Sequence, residues 1–273
     1  MVCYNPYCSN TLHREFVWYF FIEMPQMLLI DPRNPNAQII YQKLSTIVDL
    51  QHVPYHLVFG GDGWMLECIR NHGTDTPYFG VNAGTLGFLL NSNAKLSEIA
   101  HSIQHQTWMT HKFPLLHLRG ESIHGNQIHG YALNDVYVAR TSGIAANLRV
   151  DIDGHNIVEN LICDGIIVAT SLGSTAYSAS AGGTPSHPLL SGTHITPICA
   201  HTPRLRSFII PDTATIDITV LHPERRKTQV VGDGFSYGEV RSVRVTSAQK
   251  YVQLAFIPDN NFTERMVRKI LRN

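Results

Sequence analysis

The chain has no excess of either charge, no membrane-length apolar run and no cysteine framework. Lys plus Arg and Asp plus Glu both number 21, so the formal charge is zero. Proteins that bind nucleic acid or anionic membrane broadly carry a basic surplus, so neither partner is expected; a local basic patch for one nucleotide remains compatible with this balance. Phe16–Ile22 is apolar but far too short to cross a bilayer, Glu23 ends it, and it lacks the basic start and longer core of a secretory signal. The five cysteines, Cys3, Cys8, Cys68, Cys163 and Cys199, are odd in number and irregular in spacing. They form neither a zinc pattern nor a disulfide set, and reduced thiols in a cytoplasmic protein are expected. His101 and His105 lie four apart, but no Glu follows the first as a zincin would require, so ordinary histidines are expected there.

What is present suits a sizeable core. The 273 residues are 44% hydrophobic and 15% charged, enough for one large or two modest domains. The most informative stretch is Leu57-Val-Phe-Gly-Gly-Asp-Gly-Trp64. Tyr55–Phe59 has the length and content of a buried strand, and Met65–Asn71 can form a helix. A strand, a glycine turn and a helix N-terminus make an anion site, because unpaired N–H groups and the helix dipole point at the ligand. Asp62 is the odd element, since a carboxylate repels phosphate. It reads either as a group that handles a metal ion or a hydroxyl proton, or as the N-cap of the helix.

The rest of the first half repeats this grammar. Met27–Asp31 and Tyr78–Asn82 read as strands, and Asn36–Asp49 carries apolar residues at helical spacing. A second glycine turn, Gly84-Thr-Leu-Gly-Phe-Leu89, precedes a helix marked by Leu96, Ile99, Ala100 and Ile103. The alternation implies an α/β domain with a parallel sheet and flanking helices, over residues 27–112. Both glycine turns follow strand ends and are expected to face one crevice. From residue 113 the pattern changes to period two, as in Leu148, Val150 and Ile152, in Ile216, Ile218 and Val220, and in Val243 and Val245. That is the signature of a β-rich, sandwich-like domain, expected over 113–258. Helix 259–273, with Phe262, Met266, Val267 and Ile270 on one face, is expected to return to the first domain. Residues 1–26 read as an extension.

One segment inside the β region stands apart. The strand Ile166–Ala169 leads into Gly173-Ser174-Thr175, and a run of small residues from Ala176 to Gly183 reads as a helix. Ser174, Thr175, Tyr177, Ser178 and Ser180 offer many donors and acceptors; a Ser-capped helix packed through alanines is the alternative.

Together these segments resemble the ATP-dependent NAD kinase family. Its Gly-Gly-Asp-Gly matches Gly60-Gly61-Asp62-Gly63, its Asn-Glu pair resembles Asn134-Asp135, and its Asp-Gly…Thr-Pro-Thr-Gly-Ser-Thr-Ala-Tyr block is similar to Asp164-Gly165…Thr170-Ser171-Leu172-Gly173-Ser174-Thr175-Ala176-Tyr177. Gly80–Leu89 and His194-Ile-Thr-Pro-Ile198 fit as well, in the same order along the chain. A lone Gly-Gly-Asp-Gly is shared with lipid kinases; the conjunction with Gly-Ser-Thr-Ala-Tyr is specific.

The resemblance implies transfer of the ATP γ-phosphoryl group to the adenosine-ribose 2′-hydroxyl of NAD, giving NADP, in a crevice between an α/β and a β-sandwich domain. It implies magnesium, or another divalent metal, carried on the ATP phosphates rather than by protein ligands. It implies a homodimer or homotetramer whose NAD pocket borrows residues from a neighbour. Asp62 is then the base or hydroxyl-orienting group, and Gly60, Gly61 and Gly63 bring amides to phosphate. Asp62, Gly63, Asn134, Asp135, Asp164, Leu172, Thr175, Ala176, Tyr177 and Ser180 are the implied NAD contacts, with Asp164 at the nicotinamide end. Three positions depart from the family pattern: Trp64 replaces a smaller residue, Asp135 replaces Glu, and Ser171-Leu172 replaces Pro-Thr. Two other readings accompany this one, a non-catalytic NAD(P)-binding paralogue and a lipid kinase sharing the glycine turn.

Overall fold

The computed structural model describes residues 27–272 except His52, Leu86, Asn93, Ala94, Asp259 and Asn260. The expected extension 1–26 lies outside the described residues, as does Leu86 of the second glycine turn. Three parallel strands, β1 (Leu28–Ile30), β2 (His56–Gly60) and β3 (Tyr78–Asn82), alternate with helices α1 (Pro35–Ser45), α2 (Asp62–His72) and α3 (Leu96–His105). Then come β4 (Met109–Ser122), β5 (Gln127–Ala132), β6 (Asp135–Arg140), β7 (Ala146–Ile152), β8 (His155–Cys163) and β9 (Gly165–Thr170). A short helix α4 (Tyr177–Ser180) precedes β10 (Thr193–Ile198), β11 (Phe208–Ile210), β12 (Ile216–Val220), β13 (Thr228–Gly232) and β14 (Phe235–Phe256), and α5 (Phe262–Arg272) closes the order.

Local chemistry explains the early elements. Asn34 caps α1 by accepting from the Asn36 amide, and Pro35 occupies the first helical position, where no N–H is needed. In α2 the buried residues Met65, Cys68 and Ile69 follow i, i+3, i+4 spacing, and Gly73 ends the helix at φ 82°. Every position of β2 is buried. Its two faces meet different layers: Val58 packs with Met65 and Tyr78, while Leu57 and Phe59 pack with Ala37, Leu44 and Phe79. A parallel strand covered on both sides reads as a continuous apolar run for this reason.

β14 joins the two regions. Its C-terminal end runs parallel to β3, with Leu254 opposite Tyr78, and the rest pairs antiparallel with β4, β12 and β13. β4 crosses the expected boundary at residues 112 and 113 as one continuous strand. The alternating residues Leu148, Val150, Ile216, Ile218, Val243 and Val245 meet in a single apolar core of the strand-rich region. Both the β7–β8 and β13–β14 hairpins turn on Asp-Gly pairs with positive φ at each residue, Asp153-Gly154 (49° and 77°) and Asp233-Gly234 (47° and 77°). Such turns match the twist of the strands they join.

Three expectations are corrected. Helix α2 starts at Asp62 rather than Met65, and its N-cap is Gly61, so Asp62 is not the cap. Its carboxylate instead reaches across to the loop at Phe88 and Leu89. The segment 176–183 is not one helix. Gly173–Thr175 forms a 3₁₀ turn, α4 is a single turn, and Gly182 comes after it with φ 88°. The serines there bond to neighbouring groups instead of lengthening the helix: Ser174 Oγ donates to the Ser171 carbonyl at 2.7 Å, and Ser178 Oγ pairs with Thr196 Oγ1 at 2.8 Å. In α5, Phe262 is buried and Met266 packs on the core, but Val267 and Ile270 are exposed. Arg265 takes an inner position that apolar spacing assigns to other residues.

Candidate functional site

Asp62 stands at the first helical position of α2, directly after the strand β2. A carboxylate there is favoured by the helix dipole. It also accepts from two amides of the second glycine turn. Phe88 N lies 2.8 Å from both carboxylate oxygens and Leu89 N lies 2.8 Å from Oδ1. The two glycine turns, separate in sequence, are thereby locked together. A Cβ on Gly61 or Gly63 would meet nothing within 4 Å, whereas one on Gly60 would strike Trp64 Cδ1 at 2.6 Å. Gly60 is therefore a packing glycine, and the open side of the turn is at Gly61 and Gly63. The Trp64 indole turns toward β1, donating to the Leu29 carbonyl at 3.2 Å, with the Arg33 guanidinium 5.3 Å from the ring centroid.

The second group of candidate residues is assembled by another carboxylate. Asp233, in the β13–β14 turn, accepts from the amides of Leu133 (2.6 Å), Asn134 (2.8 Å) and Asp135 (3.2 Å). Thr170 N donates to the Asn134 carbonyl at 2.9 Å, and Thr170 Oγ1 to the Leu133 carbonyl at 2.7 Å. Gly173 N in turn donates to Thr170 Oγ1 at 3.0 Å. A Cβ on Gly173 would fall 2.0 Å from the Asn134 carbonyl oxygen, so only glycine permits this approach. The Asn134-Asp135 pair and the Gly173–Ala176 turn are thus stitched into one surface. Leu172 and Thr175 are buried in it, while Tyr177 is exposed and packs edge-on to Tyr137 with centroids 5.0 Å apart.

The two groups share an apolar floor. Phe88 and Leu89, whose amides hold Asp62, pack in the same core as Leu133 and Leu172, which flank Asn134 and Gly173. Asp164 is the exception. It precedes β9 while Leu172 comes after it, and a strand of that length separates them by about 20 Å. Asp164 pairs there with Arg140, Nε to Oδ1 at 2.6 Å. Tyr177 lies between the ends: burial and then the charges of Asp135 and Asp164 are among the causes that push its hydroxyl up.

Sequence reasoning missed Asp233 and Arg265. The first left a signal, because Val230-Val231-Gly232-Asp233-Gly234 repeats the apolar-strand, Gly-Asp-Gly pattern of residues 58–63. The second left none beyond its spacing of three from Phe262.

A sequence profile for the ATP-NAD kinase C-terminal domain matches residues 133–255, the span from Leu133 through most of β14. An NAD kinase of Zymomonas mobilis is 31% identical over 256 residues, covering 90% of this chain and 98% of its own length. The chain belongs to the NAD kinase family. A second NAD kinase, from Rickettsia bellii, is 34% identical over 84% of this chain and 89% of its own. Two solved structures share the NAD kinase fold. Yeast NADH kinase complexed with NADH superposes with a TM-score of 0.70 at 24% identity, over 80% of this chain and 66% of that one. An NAD kinase from Archaeoglobus fulgidus in complex with ATP gives a TM-score of 0.66 at 22% identity, over 80% and 83%.

Two outcomes are expected from the Asp233 arrangement. Replacing Asp233 with Ala leaves three amides without their acceptor; denaturant unfolding should show a loss of about 2–3 kcal/mol, and the KM for NAD should rise more than that for ATP. The pH dependence comes from Asp135, which burial, then the Asp233 charge, push up to about 7. The folded state then keeps a proton that the unfolded state has released, so this pair lowers stability as pH rises from about 4 to about 7. The stability difference between wild type and Asp135→Asn, tracked by denaturant melts across that window, should carry this slope.

Proposed function

We propose that this chain phosphorylates NAD at the 2′-hydroxyl of its adenosine ribose, taking the γ-phosphoryl group from ATP and releasing NADP and ADP. The observation that carries this reading is the placement of Asp62 at the start of α2 beside an open glycine turn, with its carboxylate fixed by two amides. The bond from the ribose oxygen to Pγ forms, the bond from Pγ to the β,γ-bridging oxygen breaks, and the hydroxyl proton passes toward Asp62. A carboxylate has about four acceptor sites, so one that holds amides can also take a hydroxyl. Phosphoryl transfer has a loose transition state, and alignment with charge neutralisation does most of the work. The turn amides at Gly61 and Gly63 and the α2 dipole suit the phosphate tail.

Magnesium fits as a metal that arrives on the triphosphate. Among the described residues no group of three His, Cys, Asp or Glu side chains could cage it. Mg²⁺ is commonly held by phosphates, waters and few protein oxygens, and when bound it offsets the charge that builds on the transferring group. Asn134 and Asp135 hydrogen-bond the ribose hydroxyls or the adenine edge of NAD, and Thr175, Ala176, Tyr177 and Ser180 line its rings over the floor made by Leu172. Asp164, at the far end of β9 from Leu172, serves the nicotinamide end of a dinucleotide, which in the homodimer or homotetramer that the family resemblance implies is a neighbour's. Residues 27–112 with α5 supply the ATP side and 113–258 the NAD side, with β4 running through both and β14 pairing with β3. A cytoplasmic location is supported by Cys68, Cys163 and Cys199, which are all free thiols. No helix among the described residues is long and apolar enough to cross a membrane. The orientation of Trp64 toward β1 removes one motive for a non-catalytic reading.

Incubation with NAD, ATP and Mg²⁺ should yield NADP in a coupled dehydrogenase assay. Asp62→Asn should lower kcat by about 10²–10⁴-fold. Absence of NADP with ATP or any other phosphoryl donor would reject the assignment.

A further inference from the structure

Helix α5 carries a buried cation to which phosphoryl transfer at Asp62 gives no role. Arg265 is only 4% exposed. It lies three positions after Phe262, which places both on one side of the helix. Its guanidinium lies against three rings, 5.4 Å from the centroid of Phe88, 5.6 Å from Phe256 and 5.8 Å from Phe262. Nη2 donates to the Leu90 carbonyl at 2.8 Å and also to the Gly87 carbonyl. A guanidinium taken out of water is tolerated when carbonyls and aromatic faces replace the solvent. Burial pushes this group down to about 10, with the Asp62 carboxylate opposing, so it is charged at neutral pH.

The two carbonyls that Arg265 grips bracket the two amides that grip Asp62. Gly87 and Leu90 face the cation, and Phe88 and Leu89 face the anion. The Gly87 carbonyl and the Phe88 N–H belong to one planar peptide unit and point in opposite directions. Fixing the first therefore aims the second, and donation to the carbonyl polarises the N–H toward its acceptor. The Phe88 ring is held by the same guanidinium.

We propose that Arg265 is a positioning residue for phosphoryl transfer: it clamps the Gly87–Leu90 loop so that the Phe88 and Leu89 amides orient the Asp62 carboxylate toward the ribose hydroxyl. Arg265 touches no substrate in this scheme. The role rests on the assignment of Asp62 as the group that meets the ribose hydroxyl, and it affects the chemical step rather than the binding of either nucleotide.

The test compares Arg265→Met, which keeps the apolar stem and removes the donors, with Arg265→Lys, which keeps the charge. Both are made in the full chain, alone and with Asp62→Asn. Steady-state kinetics and amide hydrogen exchange at Phe88 and Leu89 are the readouts. Arg265→Met should lower kcat about 10–100-fold, with each KM changing less than about threefold, as expected for misaligned reacting groups. Exchange at Phe88 and Leu89 should quicken about tenfold or more while β2 amides keep their protection. Lys should recover part of both effects. With Asp62→Asn already present, adding Arg265→Met should lower the residual rate less than about threefold, because the group it acts through is gone.

An equal loss in both backgrounds, an effect confined to KM, or unchanged exchange at both amides would overturn the proposal. If the wild type makes no NADP, the functional assignment fails by itself; the exchange measurement then decides separately whether Arg265 holds the loop. If Arg265→Met does not fold, Arg265→Lys serves in its place, and wild-type kcat and exchange in that variant would reject the proposal.

Discussion

The Asp62 carboxylate is held at a fixed angle by backbone amides from a loop 26 residues away, the constraint on which the proposed transfer to a ribose hydroxyl depends. That contact joins the ends of two strands, β2 and β3, across the mouth of the parallel sheet. Side-chain rotamers alone would let the carboxylate swing. Two N–H donors 2.8 Å from its oxygens remove that freedom before a substrate arrives. The loop is in turn fixed by a cation from the far end of the chain. The α/β region therefore depends on α5, the last element, for the geometry of a residue near its start.

The strand-rich region uses the same device. Asp233 gathers three consecutive amides and so sets the course of the chain through Leu133, Asn134 and Asp135. In each case a Gly-Asp-Gly turn presents a carboxylate to main-chain N–H groups, and the adjoining glycines leave room for close approach. The outcomes differ. Asp62 opens helix α2, while Asp233 sits at a hairpin turn and serves the loop it holds. The element after each turn makes the difference: a helix after the first, a strand after the second.

Much of this was legible in the amino-acid order. The strands and helices up to residue 105 were marked by apolar spacing and by glycine, and the alternation in β7, β12 and β14 announced their shared core. The family resemblance rested on short segments whose composition is unusual, such as Gly-Ser-Thr-Ala-Tyr. What could not be read were contacts between distant segments. Nothing near Asp62 indicates that residues 88 and 89 will supply its donors. The short α4 was misjudged because Ser and Ala spacing is silent about Gly173 pressing on the Asn134 carbonyl. Arg265 was missed because a charged residue on a terminal helix ordinarily faces water. Its burial depends on three rings and two carbonyls, of which only Phe262 is nearby in sequence.

The proposed chemistry asks little of any single side chain. There is no Walker lysine, and the surface proposed to take the NAD rings is built from small residues and one exposed tyrosine. Alignment has to come from the framework: amides fixed by carboxylates, carbonyls fixed by a guanidinium, and an apolar floor that joins both groups of residues. The most direct measurement is a crystal structure of the full chain with NAD and a non-hydrolysable ATP analogue. The expected result is an Asp62 carboxylate oxygen at hydrogen-bond distance, about 2.6–3.2 Å, from the adenosine-ribose 2′-hydroxyl, with the analogue's phosphates against Gly61 and Gly63. A ribose bound elsewhere, with Asp62 facing only protein, would contradict it.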